Sequence, residues 1–204
     1  MSEEHAADTR AEWHDVLLRL AGWLADEDLA KARALLATGW PDEVAEVIAQ
    51  AIDTGLVPYS AQDADRLRVL LAGHEDDPSL ADAGVRQEME DPPYDFASVH
   101  PWGIGPDVVD DVDHAVAEAA ADAQVTKLWR AWRYPPTGLQ PVRRVYLAET
   151  PVGADPAETA GRLQDALARA GEPTPQVEAY VAGTRLPYYQ RSALARAEAL
   201  TIQR

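Results

Sequence analysis

The sequence predicts an α+β protein: a small helical bundle at the N-terminus and a C-terminal α/β sandwich whose sheet is three- or four-stranded and mostly antiparallel. Three observations carry this. Apolar residues recur at helical spacing through the first 73 residues. The β-rich runs are confined to residues after 125. A proline- and acid-bearing segment lies between the two regions. The organisation expected is a bundle over 1–73, an acidic connector over 74–92 and an α/β module over 93–204.

In the first helix, Trp13, Val16, Leu17, Leu20 and Leu24 form one stripe, with Thr9 as its cap and Glu12, Asp15 and Arg19 toward solvent. Asp26 or Asp28 opens a second helix carrying Leu29, Ala32, Leu35 and Leu36, which stops at Gly39. Pro41 suits a first helical position and starts the third, with Val44, Val47, Ile48, Ala51 and Ile52 on its apolar face. Ser60 with Asp63 three residues on resembles a capping box and starts the fourth, carrying Leu67, Leu70 and Leu71. The loops are short, so neighbouring helices pack on one another.

Charge and proline mark 74–106 as connector-like, yet Tyr94, Phe96, Val99 and Trp102 are out of place in a free linker. Residues 93–106 are therefore expected to dock, with Tyr94 to Val99 as a short strand. A fifth helix follows Pro106 and Asp107, with Val108, Val109, Val112, Val116 and Ala119 along it. Val125 to Tyr134 and Val142 to Glu149 read as a hairpin around Pro135–Gly138. Asp155, Pro156 and Glu158 make a strong helix start, Leu163 and Leu167 mark its buried stripe, and Gly171 ends it. Gln176 to Val181 alternates, with Val177, Ala179 and Val181 on one side. A last helix is expected from Tyr189 to Ile202. If Tyr94–Val99 is a strand, the chain order is β-α-β-β-α-β, as in ferredoxin-like domains.

The absence of cysteine excludes disulfides, thiolate zinc sites and a cysteine nucleophile. The polar, acidic Met1–Arg10 has no apolar signal core, and no run is long enough to span a bilayer, so a cytoplasmic protein with no membrane contact is expected. The net charge of −17 is uneven. Residues 1–126 hold 28 acids against 7 bases, and residues 127–204 hold 7 acids against 11 bases. Such halves face different partners, or each other.

No motif supplies catalysis. None of the serines sits in a nucleophile elbow, and Ser98 near His100 shares a strand face by geometry alone. Gly103 and Gly105 precede a helix but lack the third glycine of a dinucleotide loop, and Asp107, Asp110 and Asp111 would repel a phosphate. Asp110, His114 and Glu118 share a helix face at i, i+4 and i+8, but nothing completes a ligand set. No metal and no cofactor are expected.

The most informative segment is Lys127 to Arg144, which carries five bases, Trp129, Trp132 and Tyr134 and no acid. With Val145 and Leu147 toward the core, Arg144 and Tyr146 fall on the outer face, where Lys127, Trp129 and Arg133 join them. Leu128, Trp132 and Arg130 then point inward, and Arg130 requires a bulge or an acid to bond. Lys127, Trp129, Arg133, Arg143, Arg144 and Tyr146 form the candidate partner-binding surface. The same side chains also suit docking within the chain or a plain surface, where Arg and Lys stems cover apolar sheet. Trp and Arg dominate contacts between proteins, so the functional reading is a non-enzymatic interaction or adaptor protein with a protein partner. Two others share that surface or charge: a nucleic-acid-binding regulator stacking bases on the sheet face, and an acidic inhibitor occupying a basic site. An enzyme whose site emerges only in the fold is a further alternative. Leu186 to Arg191 is a compact aromatic turn that packs the last helix on the sheet or anchors a partner.

Overall fold

Helices form where the apolar stripes place them, and their ends follow local chemistry. In the computed structural model, residues 3–54, 57, 59–72, 85–86, 91–103, 110–136 and 141–202 are described. Contacts divide the chain into two units, Met1–Pro92 and Pro93–Arg204.

The first unit holds α1 (Glu3–Leu20), α2 (Asp26–Ala37), α3 (Pro41–Asp53) and α4 (Ala61–Leu70). α1 packs against each of the other three. Trp13, Leu17, Leu29, Leu36, Ile48 and Leu67 are all buried, as their spacing requires. α1 begins ahead of Thr9, the residue expected to cap it. α4 starts at Ser60, whose hydroxyl accepts from the Asp63 N–H at 3.1 Å and donates to the Asp63 carboxylate at 2.5 Å. Ser60 is thus the cap read from the sequence, while the Asp63 carboxylate accepts from the Ser60 hydroxyl in place of the backbone N–H of a capping box. Most of the 74–92 connector lies outside the described residues. Within it, β2 (Val85–Arg86) pairs in parallel with β1 (Tyr59–Ser60).

The second unit is α+β. Its elements are β3 (Asp95–Ala97), α5 (Asp111–Asp122), β4 (Lys127–Tyr134), β5 (Arg143–Thr150), α6 (Pro156–Arg169), β6 (Gln176–Val181), α7 (Tyr188–Leu194) and β7 (Glu198–Leu200). They form a five-stranded mixed sheet in the order β3-β4-β5-β6, with β7 also paired to β4. β4 and β5 form the expected antiparallel hairpin; β5 and β6 run parallel, joined through α6. The ferredoxin-like arrangement is not confirmed: the strands lie in the sheet in chain order, so no strand splits the β5-α6-β6 unit. The expected start of α5 at Pro106–Val109 and the hairpin loop at 137–138 lie outside the described residues.

Asp155 caps α6 by accepting from the Ala157 and Glu158 N–H groups at 2.8 and 3.1 Å, and Pro156 takes the first position. At its other end Gly171 adopts φ +96°, which lets the Glu172 N–H reach the Leu167 carbonyl at 2.9 Å. One face of the sheet carries α5 and α6. There Leu128, Tyr146, Ala148, Val177 and Ala179 meet Val116, Ala120, Leu163 and Leu167 in one core. α7 packs on β3, β4 and β5, and its Tyr189 and Gln190 reach Arg133 and Glu178, which alternate to the opposite face.

Two expectations are corrected here. The last helix ends at Leu194, and Glu198–Leu200 is a strand. A helical stripe over those residues is overridden by pairing: Leu128, Trp129 and Arg130 lie opposite Leu200, Ala199 and Glu198, which satisfies backbone groups that a helix would leave on the β4 edge. The facing of β5 is also inverted. Arg130 lies opposite Tyr146 and Leu128 opposite Ala148, so Tyr146 and Ala148 share the α5/α6 core with Leu128, while Val145 and Leu147 face α7. All four are fully buried. A strand covered on both faces has no polar side from which the pleat could be oriented.

Candidate functional site

The basic hairpin finds its acids inside its own unit. Arg130, completely buried, is ion-paired through Nη1 with the carboxylate of Asp113, itself completely buried, and through Nη2 with Glu198 at 2.5 Å. The Tyr146 hydroxyl donates to the other Asp113 oxygen at 2.8 Å. Arg144 grips Asp110 in a fork, with N–O distances of 2.7 and 2.6 Å. Asp110 is the N-cap of α5 and accepts from the Val112 and Asp113 N–H groups, each at 3.1 Å. Asp110 and Asp113 therefore do two jobs. Asp110 caps the helix, and both acids pin its N-terminus to the sheet. Trp132 stacks beside both arginines, 4.9 Å from Arg144 and 6.0 Å from Arg130. His100 meets the Trp132 edge at 4.7 Å between centroids.

Burial sets the protonation states. It pushes the Tyr146 phenol upward and the Asp113 charge adds to that, so Tyr146 remains a neutral donor. Burial opposes the charged form of Asp110, but the Arg144 fork and the two capping N–H groups outweigh it and hold the carboxyl below its ordinary value. The sign follows from linkage: a carboxyl lowered in the fold stabilises it above the unfolded value and loses that contribution as pH falls through the folded value. Arg144→Met should therefore flatten the acid side of the stability curve below about pH 4, measured as the melting temperature of the folded chain against pH. An unchanged slope would contradict the clamp.

The six residues expected to share a partner surface are dispersed. Tyr146 and Arg133 are buried. Arg144 is 12% exposed and committed to Asp110. Arg143 is half-buried. Lys127 and Trp129 reach solvent, the ammonium 5.9 Å over the indole and 3.0 Å from Glu149. Both sheet faces are covered, so Trp129, Arg133 and Tyr146 do not make one open stacking face. Asp110, His114 and Glu118 do not converge either: His114 Nδ1 lies 2.8 Å from the Asp110 carbonyl oxygen, while Arg144 takes the carboxylate. Among the described residues no three potential ligands gather for a metal. No helix among them is long and apolar enough to cross a membrane.

What remains open is the edge of β4, which β3 and β7 cap in succession. β3 covers Trp132 to Tyr134, β7 covers Leu128 to Arg130, and Ala131 lies between them. A groove opens beside each. The smaller, about 460 Å³, is lined by Lys127, Trp129, Ala199 and Ile202. The larger, about 890 Å³, runs between β3 and α7, with Tyr94, Phe96, Tyr134, Tyr188, Ser192 and Arg196 along it. Its wall is held from beneath. The Arg133 guanidinium lies 4.4 Å from the Tyr94 ring centroid and donates to the Tyr189 hydroxyl at 3.3 Å. The Tyr189 ring meets Tyr94 and Phe96 edge-on at 6.5 and 5.1 Å.

No family model, curated protein or solved structure matches this chain. What the grooves can do follows from their own geometry. Tyr188 is 43% exposed, and Trp102 and Val99, just past β3, are 53% and 47% exposed. Of these, Tyr188 lines the larger groove, and an exposed aromatic at a concave wall is a usual element of a protein contact. The residues that sequence reasoning missed are Tyr189 and Glu198, which brace the site, and the groove-lining Arg196. The aromatic turn Leu186–Arg191 was the available signal for Tyr189; Glu198 and Arg196 lay in a stretch that reads as helix.

Proposed function

We propose that this chain is a non-enzymatic interaction protein that takes an extended segment of a protein partner into the groove between β3 and α7. One observation carries the reading. β3 (three residues) is a sheet edge that among the described residues pairs only with β4, and its residues line the groove. An extended chain entering there can add to the edge through main-chain hydrogen bonds, with side chains set into the aromatic wall. The basic, aromatic hairpin takes part from below: Tyr134 lines the groove, and Arg133 holds Tyr94 and Tyr189 in place. Lys127 and Trp129 continue the contact line beside β7. The −17 charge supports a protein partner over a polyanion, which the chain repels as a whole.

The test is site-specific photocrosslinking. A benzoylphenylalanine at Tyr188 is expected to capture a partner segment in the producing cell, and the same probe at Val152, which is 83% exposed and lines neither groove, is not. Ser192→Trp, which fills the groove from a half-buried α7 position, should cut the Tyr188 adduct by about tenfold, the equivalent of about 1.4 kcal/mol. Equal adducts at 188 and 152, or indifference to Ser192→Trp, would remove the groove from the reading.

A further inference from the structure

The first unit carries a second concave surface of different character. α1 and α4 lie side by side, and a groove of about 480 Å³ opens between Ala11, Glu12 and Asp15 on one and Asp65, Arg66, Val69 and Leu70 on the other. Its floor is apolar. Val69 is 71% exposed, an unusual placement for a β-branched residue on a helix whose own core stripe is Ala64, Leu67 and Leu71.

The charges around it are largely settled on one side and open on the other. Arg66 bonds Asp15, which also accepts from Arg19 at 3.2 Å, and Arg19 lies 3.6 Å from Asp63. Arg68 pairs with Asp65 at 2.7 Å. Asp8 and Glu12, one turn apart on the exposed side of α1, have no ion-pair partner among the described residues. Residues 1–92 as a whole carry 21 acids against 7 bases, whereas residues 93–204 carry 14 against 11. The negative field of the protein therefore belongs to the unit that bears this groove.

We propose that the α1/α4 groove receives the apolar face of a basic amphipathic helix from another protein. Two parallel ridges with an apolar floor suit a helix, whose anchors at i, i+3, i+4 and i+7 fall in one row. Glu12 on the α1 side of the groove, Asp8 one turn before it and a strongly acidic unit suit lysine and arginine flanking that row, and they raise the encounter rate of such a partner. A second copy of this chain is the wrong occupant, since each copy carries −17. This surface is independent of the β3/α7 groove, and the two together would let one chain hold two partners.

The experiment uses the full chain and a synthetic peptide of about 18 residues, long enough for helix formation, with leucine at the anchor positions and lysine elsewhere. The control peptide has the same composition scrambled. Fluorescence anisotropy at about 0.1 M salt is expected to show the patterned peptide binding at least about tenfold more tightly than the scramble. Val69→Asn, which should fold because Val69 is exposed, should erase most of that difference. Asp8→Asn with Glu12→Gln should weaken binding a few-fold and reduce its salt dependence. Equal binding of both peptides, or no effect of Val69→Asn in a variant of unchanged melting temperature, would reduce the attraction to bulk charge and overturn the proposal. Ser192→Trp should leave the peptide affinity unchanged; a loss there would assign the peptide to the other groove and equally overturn it.

Discussion

Replacing Asp113 by alanine should destabilise the 93–204 unit by about 3–5 kcal/mol, because it leaves the buried Arg130 guanidinium without the carboxylate that compensates its charge. Arg130 and Asp113 both have side chains that are 0% exposed, and among the described residues Glu198, 43% exposed, is the ion-pair partner that would still face the cation. The same substitution removes the acceptor of the Tyr146 hydroxyl, and a buried hydroxyl without a partner adds about 1–3 kcal/mol to the damage. A whole domain is typically stable by only about 5–15 kcal/mol, so the variant should sit near the edge of folding. Urea denaturation measures the loss, with amide exchange of β4 and β5 as the local readout. Asp113→Ala with Arg130→Met should recover much of it, since both charges then leave the interior together. A loss below about 1 kcal/mol would mean that the pair behaves as a solvated surface pair.

The second large effect is expected at Leu163. It is fully buried on α6, at the centre of the stripe that packs on Val177 and Ala179. Leu163→Ala should cost about 2–5 kcal/mol through lost burial and the cavity left behind. Leu163→Met, which keeps the volume, should cost less than about 1.5 kcal/mol. The adjacent Arg162 points outward and pairs only with Glu158 one turn back, so Arg162→Ala should stay within about 0.5 kcal/mol. The same urea titration reads all three. If Leu163→Ala matched Arg162→Ala, α6 would not form the cover of the sheet.

The charge asymmetry shows how a correct sequence observation can acquire a different meaning. Two of the bases of Lys127–Arg144, Arg130 and Arg144, meet acids that precede residue 127. Those acids are Asp110 and Asp113 of α5, and the meeting is inside the fold. A run of charge on a strand reads as surface by composition, since arginines are seldom fully buried. Arg130 was the sign that something else was happening: its inward parity demanded an acid, and nothing in the sequence said which. Asp113 is 17 residues away along the chain and Glu198 is 68 away. Sequence spacing reports on a helix turn or a strand neighbour, and neither partner is one.

Helix starts and stops were legible because their causes are local. Ser60 with Asp63, Asp155 with Pro156 and Gly171 act within a few residues of themselves, and each takes the geometry its chemistry dictates. The core side of β6 followed from period-two alternation, the hairpin from two β-rich runs about a turn, and the strand found at Asp95–Ala97 from aromatics out of place in a linker. Three matters belonged to the tertiary structure. The pleat of β5 was settled by α7 covering the second face, which left Val145, Tyr146, Leu147 and Ala148 equally buried and so indistinguishable by polarity. Glu198–Leu200 became a strand because the β4 edge offered unpaired backbone that a helical propensity cannot outweigh. The groove between β3 and α7 exists because two segments 90 residues or more apart, Tyr94–Ser98 and Tyr188–Ala197, close against one strand. Local chemistry determines where an element begins and ends; which of its faces is left open to a partner depends on what packs against it from far along the chain.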